Sequence, residues 1–243
     1  MNSLELKVTL QDEAQRRQAG GGRVLRGPAL VPFLLLGNIL AQQPPHDWLI
    51  EPGVRVGPIT ASSTGAILEE AFGKRVVITQ RVSGEIETDG RMTLVYRDDP
   101  SKALGVSWFG KGPHSHPQTV SFCFGDNEKI GAWRTTSGIR CGTTLRELQA
   151  LNERPFTLSG YSGDLGGTVL SWGGGRLDSA LGGTNSGALE ISVAPRNRRW
   201  RDRLSDAERA RLNGATLQSD EPTIQALDPA VYRMVFRFAS AQK

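Results

Sequence analysis

Histidine is almost missing from this chain of 243 residues. His46, His114 and His116 are the three it has. None follows Ser162, so the chain order Ser…Asp…His of an α/β-hydrolase triad is excluded, and "GYSG" (160–163) is not G-x-S-x-G. A zinc site takes three or four ligands. His114 and His116 in "PHSHP" have no C-x-x-C or H-E-x-x-H beside them, and they read as loop residues rather than metal ligands. Cysteine is equally sparse, with Cys123 and Cys141 alone. Neither lies in the local signature of a cysteine nucleophile, though pairing of either with His114 stays formally open. Lysine is scarce and arginine supplies most of the positive charge, a bias that genomic base composition produces without any phosphate-binding surface. The net charge of +4 therefore speaks to solubility and not to fold. No long apolar run is present either. A bilayer span needs about 20 apolar residues, and the stretch from Ala29 to Leu36 is interrupted by Pro32 and followed by Gly37-Asn38.

That short stretch has another reading. Arg23 and Arg26 precede it, Ile39-Leu40-Ala41 end it, and Gln42-Gln43-Pro44-Pro45 follow. Charge, apolar core and small residue in that order make a secretory signal peptide, with an apolar core at about 29–41 and cleavage near Ala41. Residues 1–41 are thus expected to be a leader and the product to be periplasmic or secreted. A long polar segment, 1–22, precedes the core, which fits a true translation start near Val24 or Leu25. The leader carries five Lys/Arg and three Asp/Glu, so the remainder has a net charge of only +2. In an exported protein Cys123 and Cys141 can form a disulfide. Against this, Cys141 falls where a related segment has Ala61, a pattern that fits a small buried residue as well.

The related segment is an echo at an offset of eighty. "GPITASSTGAILEEAFG" (57–73) and "GIRCGTTLRELQALN" (138–152) both run from an isoleucine through small residues into a leucine helix. In the first, Ser62 or Ser63 is expected to cap the helix. Thr64, Ile67, Leu68, Ala71 and Phe72 are expected on one face, and Gly73 at the stop. In the second, Thr144 and Glu147 spell a capping box, Leu145, Leu148 and Leu151 form the stripe, and Asn152 is the expected left-handed cap. Strand patterns follow each: 75–82, 91–97, 103–109, 119–124 and 130–135, then 155–161, 167–172, 188–195 and 231–239. In the last, Tyr232, Met234, Phe236 and Phe238 alternate with Arg233 and Arg237, which is a strand with one buried and one wet face. "LSDAERARLNG" (204–214) reads as a third helix with a Ser205/Glu208 box and Gly214 as its stop. Residues 173–187 read as a mobile hairpin loop. The fold class is α+β: two similar halves, 42–136 and 137–243, each a short helix packed on an antiparallel sheet.

The segment "VGPITASSTGAILEEAFG" (56–73) resembles the opening of bacterial envelope modules of the SmpA/OmlA type. It is also similar to the tandem fold of the beta-lactamase inhibitor proteins. "LNERPFTLSGYSGDLGGTVLSWGGGRL" (151–177) resembles a recurring segment of exported bacterial proteins of unknown function. Gly160, Tyr161, Asp164, Gly166 and Gly167 map onto its core, while Ser162-Gly163 and Leu165 stand where that pattern has Gly-Trp and Tyr. The resemblance implies a non-enzymatic envelope protein, with Tyr161, Asp164 and Trp172 as candidate ligand-binding residues. The bland reading of Asp164 is a carboxylate that accepts backbone amides in a tight turn.

Other chemistry is weakly supported. "GVSWFGKG" (105–112) nearly fits a phosphate loop, but Gly112 replaces the hydroxyl residue and the interior reads as a strand. "RNRRWRDR" (196–203) clusters Arg196, Arg198, Arg199, Arg201 and Arg203 around Trp200, a candidate anion site for lipid head groups or acidic polymers. The favoured reading is a solvated link, partly neutralised by Asp202, Asp206 and Glu208. The expectation is an exported envelope protein that acts by binding a protein or polymer of the envelope as an adaptor, inhibitor-like module or structural factor. It needs no cofactor or metal. The alternatives are a cell-wall or glycan hydrolase with unidentified carboxylates, and a nucleic-acid or anion binder through Arg196–Arg203. Nucleic acid is disfavoured by the leader.

Overall fold

The computed structural model describes residues 47–81, 91–109, 116–124, 130–162, 166–181, 188–197, 199–214 and 216–239. The expected leader, 1–41, lies outside them, as do Asp164, Arg198, His46 and His114. Among the described residues no helix is long and apolar enough to cross a membrane.

The fold is α+β. In chain order the strands are β1 Leu49–Glu51, β2 Arg55–Val56, β3 Val77–Arg81, β4 Arg91–Val95, β5 Leu104–Trp108, β6 Pro117–Phe122, β7 Arg134–Thr135, β8 Thr157–Ser159, β9 Val169–Ser171, β10 Leu189–Pro195, β11 Thr216–Gln218 and β12 Pro229–Arg237. The helices are α1 Gly65–Phe72, α2 Leu145–Asn152, α3 Arg176–Ala180, α4 Asp206–Leu212 and α5 Pro222–Ala226, with a 3-10 turn at Trp200–Arg203.

Six strands form the central antiparallel sheet, in the order β10-β12-β6-β5-β4-β3. Pairing runs across the sequence boundary at 136/137, because β6 pairs with β12 in the middle of that sheet. Two rows of side chains build its buried face. Ile191, Met234, Phe122, Leu104, Val95 and Val77 are successive cross-strand neighbours, and so are Leu189, Phe236, Val120, Val106, Thr93 and Thr79. From Ile191 to Val95 and from Leu189 to Thr93 these positions are buried. Of the near-phosphate-loop stretch, Gly105–Trp108 lie in β5, which is buried along its whole length, and residues 110–112 lie outside the described ones. Thr93 is the polar exception in the rows; its hydroxyl accepts the indole N–H of Trp108 at 3.0 Å, so the pair costs little to bury.

The echoed segments adopt the same backbone. The amide of Thr60 donates to Ser63 Oγ at 2.9 Å, and eighty residues on the amide of Arg140 donates to Thr143 Oγ1 at 3.0 Å. Thr64 and Thr144 are the N-caps, each accepting the amide three residues on. Capping by Ser62 or Ser63 is therefore corrected: Ser63 folds back on the turn, and the next hydroxyl takes the helix amide. Of the stripe expected on α1, Leu68 and Phe72 are buried, while Ile67 is 40% exposed. Gly73 ends α1 at φ 91. On α2 the left-handed cap is Glu153, not Asn152. Asn152 is fully buried instead. Its amide nitrogen donates to the carbonyls of Arg154 and Trp172, and its Oδ1 accepts the amide of Leu177. Three otherwise orphaned backbone groups are satisfied that way.

Further corrections follow from length and partner. The stretch 130–135 contributes only the two residues of β7, which pair in parallel with β1. Residues 176–180, expected within a loop, form α3, whose first turn Asn152 anchors. The Ser205/Glu208 box of α4 is present, and the helix ends at Leu212.

Cys123 and Cys141 form a disulfide, with Cα atoms 5.6 Å apart. It ties the end of β6 to the turn before α2. The small-residue argument against it failed because the two demands are compatible. Gly131 lies so close that a Cβ there would sit 3.1 Å from Cys141 Cβ. The site excludes bulk, and a half-cystine still fits.

Candidate functional site

The face of the central sheet opposite the two buried rows is only partly covered: Gly105, Ser107 and Val235 are buried there, while Met92, Leu94, Thr119 and Ser121 are partly exposed. Register alone assigns its residues, since side chains alternate along each strand. Glu190, Val235, Ser121, Gly105, Leu94 and Ile78 follow one another across all six strands. Arg237, Thr119, Ser107, Met92 and Gln80 make the next row. Gly105 sits in the middle of the sheet. A Cβ there would meet Met92 Sδ at 2.6 Å and Phe124 Cζ at 3.0 Å, so these two side chains close over the glycine. Phe124 remains 42% exposed. The result is a shallow apolar saddle on a face that the alternation in β12 marks as wet.

On the same face, two strands away from Gly105, stands a three-charge cluster. Glu190 lies opposite Val235, between Arg233 and Arg237 on the same face of β12. Both arginines bond it, Arg237 Nη2 at 3.0 Å from Oε2 and Arg233 through Nη1 to Oε1. Burial works to raise the Glu190 pKa, but the hydrogen bond from Arg237 and the charge and hydrogen bond of Arg233 outweigh it, and the net shift is downward. The carboxylate stays ionised and the cluster carries one excess positive charge. Arg237 is half exposed, and a guanidinium has five N–H donors, so it can also receive an outside carboxylate. The sequence marked Arg233 and Arg237 as outward-facing. What it did not mark is Glu190 between them, because their juxtaposition depends on the β10–β12 register. Nor did it mark Met92 and Phe124 over Gly105.

The residues singled out from sequence lie elsewhere. Trp172 is buried against Phe156, with ring centroids 4.9 Å apart. It is a core residue. Tyr161 is also buried, with its ring 5.5 Å from that of Trp200. Its carbonyl accepts Arg201 Nη2 at 2.8 Å, and Arg201 lies 4.6 Å over the Trp200 ring. Trp200 is thus enclosed and unavailable for stacking on an outside base or for anchoring in lipid. Arg196 donates to the carbonyl of Gly142 and lies 4.0 Å from Asp228. Arg199 and Arg203 are exposed. The structure therefore joins two separate sequence candidates, Tyr161 and the arginine run, into one internal clasp. Close backbone approach explains its glycines: a Cβ on Gly167 would lie 1.9 Å from the Val193 carbonyl oxygen, and one on Gly160 1.8 Å from that of Gly214.

Comparison with protein-family models, with curated proteins and with solved structures gave no match.

Among the described residues no group of three or more His, Cys, Asp and Glu side chains is placed to hold a metal ion. A polar cleft of about 510 Å³ is lined by Arg146, Gln149, Glu153, Arg154, Asp220 and Gln225, among others. Gln225 bridges it, bonding Arg146, Gln149 and the Ser219 carbonyl. Arg146 and Arg154 balance Glu153 and Asp220 in charge, and Glu153 is bonded by Arg176.

Proposed function

We propose that this is an exported protein of the bacterial envelope, built of two related helix-and-sheet halves, that acts by binding another protein on the partly covered face of its central sheet. The Cys123–Cys141 disulfide is the observation that carries the compartment, because such bonds persist in oxidising compartments and are rare in the cytosol. The leader pattern before Gln42 points the same way. The mode of action rests on the saddle of Met92 and Phe124 and on Glu190, Arg233 and Arg237, two strands away from Gly105 on the same face. An apolar centre with a charged margin is the composition of a protein-binding patch. Its excess positive charge favours a partner that offers a carboxylate beside an apolar side chain. The hydrolase and nucleic-acid readings draw less support. The arginine run spends Arg196 and Arg201 on backbone carbonyls, and Trp200 is enclosed.

Two measurements test this. Intact mass from separated cell fractions is expected to find a periplasmic or extracellular species that begins near Gln42. A cytosolic species retaining residues 1–41 overturns the compartment. A photo-crosslinking residue in place of Phe124 is expected to yield a specific adduct in cells, lost on adding Arg237→Glu. Unchanged crosslinking in that double variant sinks the binding face.

A further inference from the structure

The two edges of the central sheet are treated differently. At the β10 edge the ladder is bent by a shift between Ser192 and Val193 and then continued. Thr168 bridges Ser192, and the Val193 amide donates to the Gly167 carbonyl at 2.9 Å. At the β3 edge nothing among the described residues continues the sheet. The five β3–β4 pairs run from Val77↔Val95 to Arg81↔Arg91 without a shift, no proline interrupts β3, and its single charged residue, Arg81, stands at its end. Proteins that must leave an edge bare blunt it with such devices.

The hydrogen-bond phase of that edge is fixed. The Tyr96 amide donates to the Val76 carbonyl. In an antiparallel ladder, inward-bonding residues alternate with outward ones. Ile78 and Gln80 therefore bond to β4, and the N–H and C=O groups of Val77, Thr79 and Arg81 point away from the sheet.

We infer that β3 is a dimer interface, in which two copies of this chain join by antiparallel pairing of their β3 strands about a twofold axis at Thr79. In this register Val77 faces Arg81 of the other copy, Thr79 faces Thr79, and every outward group of both strands is bonded. No like charges are placed opposite each other. A twofold pairing is isologous and closes on itself, so both bare edges vanish together and no third copy can add there. An extended segment of a different protein would cover one edge but gains nothing from the palindromic register.

Sedimentation equilibrium of the full chain over a wide concentration range tests this. The unmodified protein is expected to reach twice the monomer mass. Thr79 is exposed, and in the dimer its side chain lies directly opposite its counterpart, with Cα atoms about 5.5 Å apart. Thr79→Lys and Thr79→Glu are each expected to raise the dimer dissociation constant about tenfold or more, because like charges then face one another. Mixing the two variants is expected to restore the dimer. A monomer at all concentrations overturns the inference, as does a dimer that ignores both variants or a mixture that fails to associate. Amide exchange in the unmodified protein guards against misfolded variants. Protection of the Thr79 amide is expected to grow with protein concentration, and concentration-independent exchange overturns the dimer.

Discussion

Ser63 and Thr143 hold the same turn eighty residues apart. Each side-chain oxygen accepts the amide three residues before it, and each residue's own amide returns to that residue's carbonyl at 3.0 Å. The cap residue follows directly, Thr64 in one case and Thr144 in the other. The difference lies one turn on. Glu147 reaches back to the Thr144 amide at 2.7 Å and to its hydroxyl at 2.9 Å, whereas Ile67 holds the equivalent place after Thr64.

The two caps should therefore differ in strength. Thr144→Ala is expected to cost about 1–2 kcal/mol and Thr64→Ala about 0.5–1 kcal/mol, because only the former breaks a reciprocal box. Urea unfolding of both variants checks the order. Equal losses would show that the Glu147 arm contributes nothing.

The disulfide closes a ring between residues 123 and 141, 18 positions apart. A cross-link of that span is expected to contribute about 3 kcal/mol. Paired Cys123→Ala and Cys141→Ala substitutions should lower stability by that order, and dithiothreitol should destabilise the unmodified protein to a similar degree. A melting temperature unmoved by either treatment would mean the bond is absent from the native protein.

Tyr161 supplies a test in the opposite direction. Its hydroxyl is buried with no hydrogen-bond partner among the described residues, and burial pushes its pKa far up. An unpaired buried polar group is a cost of about 1–3 kcal/mol. Tyr161→Phe keeps the ring against Trp200 and removes only that group, so stability should be unchanged or rise by up to about 1 kcal/mol. A loss beyond about 1 kcal/mol would show that the hydroxyl has a partner in solution.

Glu190 sets a pH dependence. Its folded pKa lies below the usual glutamate value despite burial, through Arg237 and Arg233. A depressed carboxylate contributes stability above its unfolded pKa, about 4.3, and loses it as pH falls through the folded value. The cluster is reached by solvent, so the effect should stay under about 1 kcal/mol. Glu190→Gln is expected to be slightly less stable at neutral pH and to show a flatter decline in acid. Identical slopes below the unfolded pKa would remove Glu190 from the acid response.

Local chemistry made much of this fold legible. The capping boxes at Thr144 and Ser205, the Gly73 stop and the alternation of β12 are all short-range signals that the structure bears out. What escaped was set by distant partners. Val235 shares the wet side with Arg233 and Arg237, yet it is 4% exposed in a row between Glu190 and Ser121. Asn152 reads as a cap by type and became a buried bridge because α3 and Trp172 come to it. Tyr161 and Trp200 are 39 positions apart in sequence and meet as rings. The partly covered face was half visible, in two arginines, while Glu190 and the Met92–Phe124 cover over Gly105 required the register of the whole sheet.

The seam at the middle of the central sheet has a consequence for how the molecule is made. Phe122 pairs with Met234, so the centre of the sheet is stitched from segments more than a hundred positions apart. A polypeptide emerging amino-terminus first exposes β3 to β6 well before β12 follows. The inner edge of β6 stays unmatched until β12 is out. Completion of the sheet is thereby tied to the arrival of that one strand, and a chain stalled before it cannot lock itself into the native state.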